Sequence, residues 1–268
     1  MKKAGVARRE RRAPARQVRA IVEHAEQVLG APGTAKIVSR NGANVGTLPR
    51  FMSEEILSRL AKIGIVPVIA IEEIEMAIPL ADALLEGGLP VVEITFRTAA
   101  AAAVIAKMAN ERPKLIVGAG TVLTAANVDA AKSSGAAFAV APGLNPQTVK
   151  YAQSVGLPFV PGVATPSDIE AGLPLGCKLL KFFPAESNGG VGMLEALSAP
   201  YKHTGLHFMP TGGVNPGNLE SYLKLDTVAA VGGTWIAKKE DLANGNWTDV
   251  RERCKAALEV VARARGKR

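Results

Sequence analysis

Residues 65–98 read IVPVIAIEEIEMAIPLADALLEGGLPVVEITFRT. A β-branched apolar run comes first, then apolar residues at helical spacing, then Gly87-Gly88, then a second β-branched run. Such a segment is a strand, a helix closed on glycine and another strand. Two strands joined by a helical crossover run parallel. The turn after the first strand, IAIEEIE at 69–75, holds no glycine. A doubly wound open sheet more often carries a glycine-rich turn there.

Outward from this unit the pattern repeats. Apolar runs begin near Ile65, Pro90, Lys114, Ala137, Pro158, Leu179, Leu206 and Val228, at intervals of 21 to 27 residues. Helical patterning fills the gaps, as in AANVDAAKSSG and NPQTVKYAQSVG. Eight strands alternating with helices match the number that closes into a barrel. The expected fold is therefore α/β, a (β/α)8 TIM barrel. A helix near Ser53–Ile63, opening on Ser53-Glu54-Glu55, is expected to cover its bottom. An amphipathic segment from about Asp249 to Arg265 ends the chain.

The net charge of +8 divides unevenly. Residues 1–50 hold eleven Lys/Arg against three glutamates, which leaves 21 basic and 21 acidic residues in 51–268. The chain thus reads as a basic N-terminal extension, 1–50, joined to a neutral barrel, 51–268. Neutrality of the body removes the support for nucleic-acid binding by the barrel. In the extension, Val18, Ile21, Val22, Ala25, Val28 and Leu29 fall at helical spacing before Gly30, and 31–50 resembles a linker. A segment such as KKAGVARRERR suits RNA, anionic lipid or a targeting receptor, or is a dispensable tail. No run approaches the roughly 18 apolar residues of a membrane span. Cys177 and Cys254 lie far apart with no CxxC spacing, which suits a reduced, cytoplasmic protein without a zinc site.

Barrel chemistry gathers where strands end. Those ends read VVEITFRT, VGAGTV, AVAPG, VPGVATP, LKFFPAE, PTGGVNP and VGGTW. Lys181 stands in an apolar run where valine or isoleucine is usual. Lys178 and Lys181, three apart, face opposite sides of a strand, and Lys181 is the inward one because it is nearer the rim. Burial disfavours the charged form of an amine and frees it as a nucleophile toward carbonyls. Glu93, Thr95 and Arg97 share parity; an inward glutamate suits proton shuttling, and an arginine offers a bidentate fork for a carboxylate. On the residues alone, Lys181 and Glu93 are also readable as an ion pair that only fills the interior. Two glycine pairs, in PTGGV (210–214) and VGGTW (231–235), close the last two strands, where barrels commonly hold phosphate on backbone N–H groups. His24 lies in the extension, and His203 and His207 flank the start of the seventh strand, away from the rim.

These motifs, with APGLNP and KFFPAESNGGV, closely resemble the bacterial 2-keto-3-deoxy-6-phosphogluconate (KDPG) aldolases, also called 4-hydroxy-2-oxoglutarate (KHG) aldolases, over roughly residues 53–266. The resemblance implies a class I, Schiff-base aldolase of carbohydrate metabolism that needs no cofactor and no metal. It implies that Lys181 forms the imine with pyruvate and that Glu93 is the general acid/base. Arg97, Thr121, Pro142 and Phe183 would surround the pyruvate half, and Thr211, Gly212, Gly213, Gly233 and Thr234 the phosphate. Thr234 stands where the family carries serine, with the hydroxyl kept. Family members are usually homotrimers, and the first fifty residues have no family counterpart. The other function class that the sequence admits is a phosphate-binding TIM-barrel isomerase or synthase, which would share the glycine pairs without needing Lys181.

Overall fold

The computed structural model describes residues 50–266. The expected helix around Val18–Leu29 and the linker after it lie outside the described residues. Helix α1 (Arg50–Ile63) precedes strand β1 (Ile65–Ile69), and Gly64 between them takes a left-handed φ of 82° while its N–H caps the Leu60 carbonyl. The helix opens three residues before Ser53, so Ser53 sits in its first turn and not at its cap.

Strand and helix then alternate as expected: α2 (Ala77–Glu86), β2 (Val91–Thr95), α3 (Ala101–Glu111), β3 (Ile116–Gly120), α4 (Ala125–Ser133), β4 (Phe138–Val140) and α5 (Pro146–Ser154). Beyond them come β5 (Phe159–Val160), β6 (Gly162–Val163), α6 (Pro166–Gly172), β7 (Leu179–Phe182), α7 (Gly190–Ser198), β8 (His207–Pro210), α8 (Leu219–Leu223), β9 (Val231–Gly233), α9 (Lys239–Asn244) and α10 (Trp247–Arg265). Every residue of β1, β2, β3 and β7 is buried, as strands covered on both faces must be.

All strand pairings are parallel. One sheet has the order β5-β4-β3-β2-β1-β9, and the other β6-β7-β8. Single bridges, Phe208 to Val228 and Thr211 to Gly232, join β8 to the β9 side. The one strand expected from Pro158 is two short strands, because Pro161 has no N–H for the ladder. Its carbonyl still accepts from the Lys181 N–H at 2.8 Å, so the chain passes from β4 to β7 at this residue. The last strand starts at Val231, a few residues after the apolar run that announced it.

Helix α10 closes against α2, and a Cβ at Gly87 would stand 2.6 Å from Cys254 Cβ. Burial pushes the Cys177 and Cys254 thiols up to about 11 and about 12, which leaves both inert at neutral pH. No described helix is long and apolar enough to cross a membrane.

Helix α6, seven residues long, depends on its first turn. Thr165 Oγ1 accepts from the Asp168 N–H, and Asp168 Oδ2 accepts from the N–H groups of Ala164 and Thr165 at 3.0 and 2.9 Å. Burial by itself would raise the Asp168 carboxyl; the Ala164 N–H, the Thr165 hydroxyl and the Thr165 N–H outweigh it and hold it below the ordinary 3.8. A depressed carboxyl adds stability that is complete above its unfolded value and is lost as pH falls through its folded value. Asp168→Asn should therefore be less stable than the parent by about 1 kcal/mol at pH 7, on the scale of a lost cap. Urea unfolding should show that gap narrowing as pH drops below about 4.

Candidate active site

Lys181 and Glu93 are 88 positions apart, on strands that are not neighbours in either direction round the sheet order. Their side chains nonetheless meet, Nζ to Oε1 at 3.3 Å, so both point into the space that the strands enclose. Glu93 is fully buried and Lys181 5% exposed. Lys178 is exposed and donates to the Thr204 carbonyl at 3.1 Å. Strand parity had separated the two lysines in this same sense.

Around the pair the polar inventory is thin. Glu93 Oε2 is buried and has no hydrogen-bond partner among the described residues. A buried carboxylate oxygen left unpaired is costly in a fold, and its persistence asks for a role. The Phe183 ring lies 5.4 Å from Lys181 Nζ, within reach of a cation–π contact. Thr121, directly after β3, is the one described non-glycine residue with positive φ, at 57°. A β-branched residue rarely adopts that conformation, and such strain gathers at functional sites. Pro142 is half-buried after β4, and its carbonyl occupies the place that a Cβ on Gly162 would need.

Arg97 is exposed just beyond β2, its Nε donating to buried Thr95 Oγ1 at 3.1 Å. It shares with Thr234 a cleft of about 450 Å³, lined also by Glu72, Lys238 and Lys239. Neither Lys181 nor Glu93 lines that cleft. The structure thus brings Arg97 and Thr234 to one cleft.

The first glycine pair is shaped by the lysine strand. Gly212 and Gly213 take φ of 96° and 81°, where a side chain is strained. The N–H groups of Ala185 and Glu186 donate to the Thr211 and Gly212 carbonyls at 2.8 and 3.0 Å. A Cβ on Gly213 would sit 2.6 Å from Glu186 Cβ, and Glu186 in turn accepts from the Tyr222 hydroxyl. Burial first, then that carboxylate, raise the Tyr222 phenol. Thr211 does not present its hydroxyl outward: the side chain is 2% exposed and fills the space left by Gly232. Gly233 is buried, with the Trp235 ring where its Cβ would be, and Thr234 is exposed.

Sequence reasoning missed the Glu186–Tyr222 contact and the closeness of Gly120 to Glu93, whose Cγ stands 2.8 Å from where a Gly120 Cβ would be. For Gly120 a signal existed: VGAGTV sets two glycines on one face of β3, beside the strand that carries Glu93. For Tyr222 there was none, since its partner is 36 positions away.

The pattern of the KDPG and KHG aldolases matches residues 56–253. The chain belongs to that family. A relative from Haemophilus influenzae named 2-dehydro-3-deoxy-phosphogluconate aldolase is 43% identical over 211 residues, 79% of this chain and 99% of the relative. One from Escherichia coli K12, named KHG/KDPG aldolase, is 40% identical over 195 residues, 73% of this chain and 91% of its own. The solved KDPG aldolase of Legionella pneumophila, with pyruvate captured at low pH as a covalent carbinolamine, superposes with a TM-score of 0.72 at 40% identity. That match covers 75% of this chain and 97% of the other. Family members so named are aldolases, and the chain is accordingly a carbon–carbon lyase.

Removing one partner of a buried ion pair strands the other charge. Lys181→Met should lower stability at neutral pH by about 3 kcal/mol, while Lys181→Met with Glu93→Gln should recover most of that loss. Denaturant melts of the two variants test this; equal stability of both would show that the pair carries no such coupling.

Proposed function

We propose that this protein cleaves 2-keto-3-deoxy-6-phosphogluconate reversibly to pyruvate and glyceraldehyde 3-phosphate through a Schiff base on Lys181. One observation carries the proposal: a lysine and a glutamate from non-adjacent strands meet in the interior, both almost fully buried. The carbinolamine captured in the Legionella relative supports amine addition to a ketone, and the parallel strand order supports a closed (β/α)8 barrel spanning 51–268.

Lys181 Nζ adds to the C2 ketone, and the carbinolamine loses water to give an iminium. Glu93 takes the proton from the C4 hydroxyl, directly or through one water. The C3–C4 bond breaks, its electron pair enters the iminium as an enamine, and the aldehyde leaves. Protonation at C3 and addition of water release pyruvate and return the amine. Arg97, Thr121, Pro142 and Phe183 would serve the pyruvate half. Gly212 and Gly213, whose positive φ turns their N–H groups outward, would serve the phosphate beside Thr211, Gly233 and the Thr234 hydroxyl. The Thr211 side chain is buried and its N–H donates to the Phe182 carbonyl at 2.9 Å, so its part would be to shape the turn that leads to the glycine pair. The same Lys181 and Glu93 suffice for 4-hydroxy-2-oxoglutarate, and the dual name of the E. coli relative favours testing it. Homotrimeric assembly, a cytoplasmic location and a separate basic extension at 1–50 complete the proposal.

Lys181→Met should abolish cleavage and borohydride trapping of pyruvate, while Lys178→Met retains both. Trapping on Lys178 would overturn the assignment to Lys181, and no trapping on either would favour an isomerase or synthase. Glu93→Gln should lower kcat about 10²–10⁴-fold with the fold intact. Values of kcat/KM for the phosphorylated gluconate acid, its galactonate epimer and 4-hydroxy-2-oxoglutarate should favour a phosphorylated substrate.

A further inference from the structure

Hydrogen bonds do little to orient the Glu93 carboxylate. Lys181 holds Oε1 at 3.3 Å, and Oε2 has no partner among the described residues. A side chain with so few polar contacts is placed by the shape of the space around it. Glu93 pairs in register with Gly118, and its side chain leans from there toward Gly120, two residues further along β3. A Cβ built on Gly120 would stand 2.8 Å from Glu93 Cγ and 2.9 Å from Cδ, and would overlap Oε1. Real Cβ contacts of that kind essentially do not occur, so one of the groups must move. Gly120 itself needs no special backbone conformation, since its φ is not positive. Alanine is therefore compatible with the chain path, and the carboxylate is what excludes it.

We propose that Gly120 is a positioning residue for the reaction: its missing side chain is the space that aims the Glu93 carboxylate at Lys181. The proposal rests on the reading of Glu93 as general acid/base. Placing one methyl group there drives the carboxylate off its line, and a displacement near 1 Å in a reacting group costs on the order of 10²-fold in rate. Gly118 acts differently, because a Cβ there would strike the Phe138 ring and not the carboxylate.

The test is a double-variant cycle read by kcat in single turnover and by thermal midpoint. Gly120→Ala alone should lower kcat about 10²-fold. Added to Glu93→Ala, which removes the clashing atoms, the same change should lower kcat less than twofold further and leave the midpoint of that variant unchanged. Equal proportional losses in the two backgrounds, or full activity of Gly120→Ala, would overturn the positioning role while leaving the Schiff base intact. If Gly120→Ala fails to fold, the combination with Glu93→Ala decides: folding there supports the proposal, and failure there overturns it. Wild-type kcat in Glu93→Ala would remove both the role of Glu93 and that of Gly120.

Discussion

A lysine and a glutamate 3.3 Å apart, one from each of two parallel sheets, set the terms for the rest of this molecule. Taking two charges out of water costs several kcal/mol per ion, and mutual attraction repays it only with good geometry. Here Lys181 meets one carboxylate oxygen of Glu93, and the other has no hydrogen-bond partner among the described residues. The surrounding strands must then supply, through packing, the order that hydrogen bonds do not. Continuous burial of β1, β2, β3 and β7 does this, and it also keeps water from competing for either charge.

Glycines make that packing feasible. Between strands buried on both faces, neighbouring side chains compete for one volume, and each large group needs a small one opposite. Gly118 yields to the Phe138 ring, Gly120 to Glu93, Gly162 to the Pro142 carbonyl and Gly232 to Thr211. These positions look interchangeable in the sequence, yet each is matched to a different occupant. The outward pair Gly212-Gly213 is another kind, required by backbone conformation.

Much of this was legible before any coordinates. β-Branched runs and glycine stops marked the strand–helix order, because burial on two faces imposes an apolar run and left-handed caps favour glycine. Parity was enough to put Lys181 inside and Lys178 outside. The break at Pro161 was visible as a proline but not as a change of strand partner, which depends on the Lys181 N–H reaching its carbonyl. Thr211 read as a phosphate hydroxyl because type and place fitted; only the neighbouring Gly232 shows where its side chain goes. The start of α1 at Arg50 lies three residues before the cap that Ser53-Glu54-Glu55 suggests. Pairwise contacts between distant residues are the information that pattern leaves out.

The division of the strands into two sheets has a mechanical meaning. Glu93 belongs to the six-stranded sheet and Lys181 to the three-stranded one, and the sheets adjoin at a proline on one side and at single bridges on the other. The ion pair is thus a strut between two arcs whose seams hold few ladder bonds. Lys181 and Glu93 are spaced by the placement of two sheets and not by any one loop. Whatever widens a seam lengthens that strut, so the integrity of the strand arrangement and the closeness of the two side chains are one property measured in two ways.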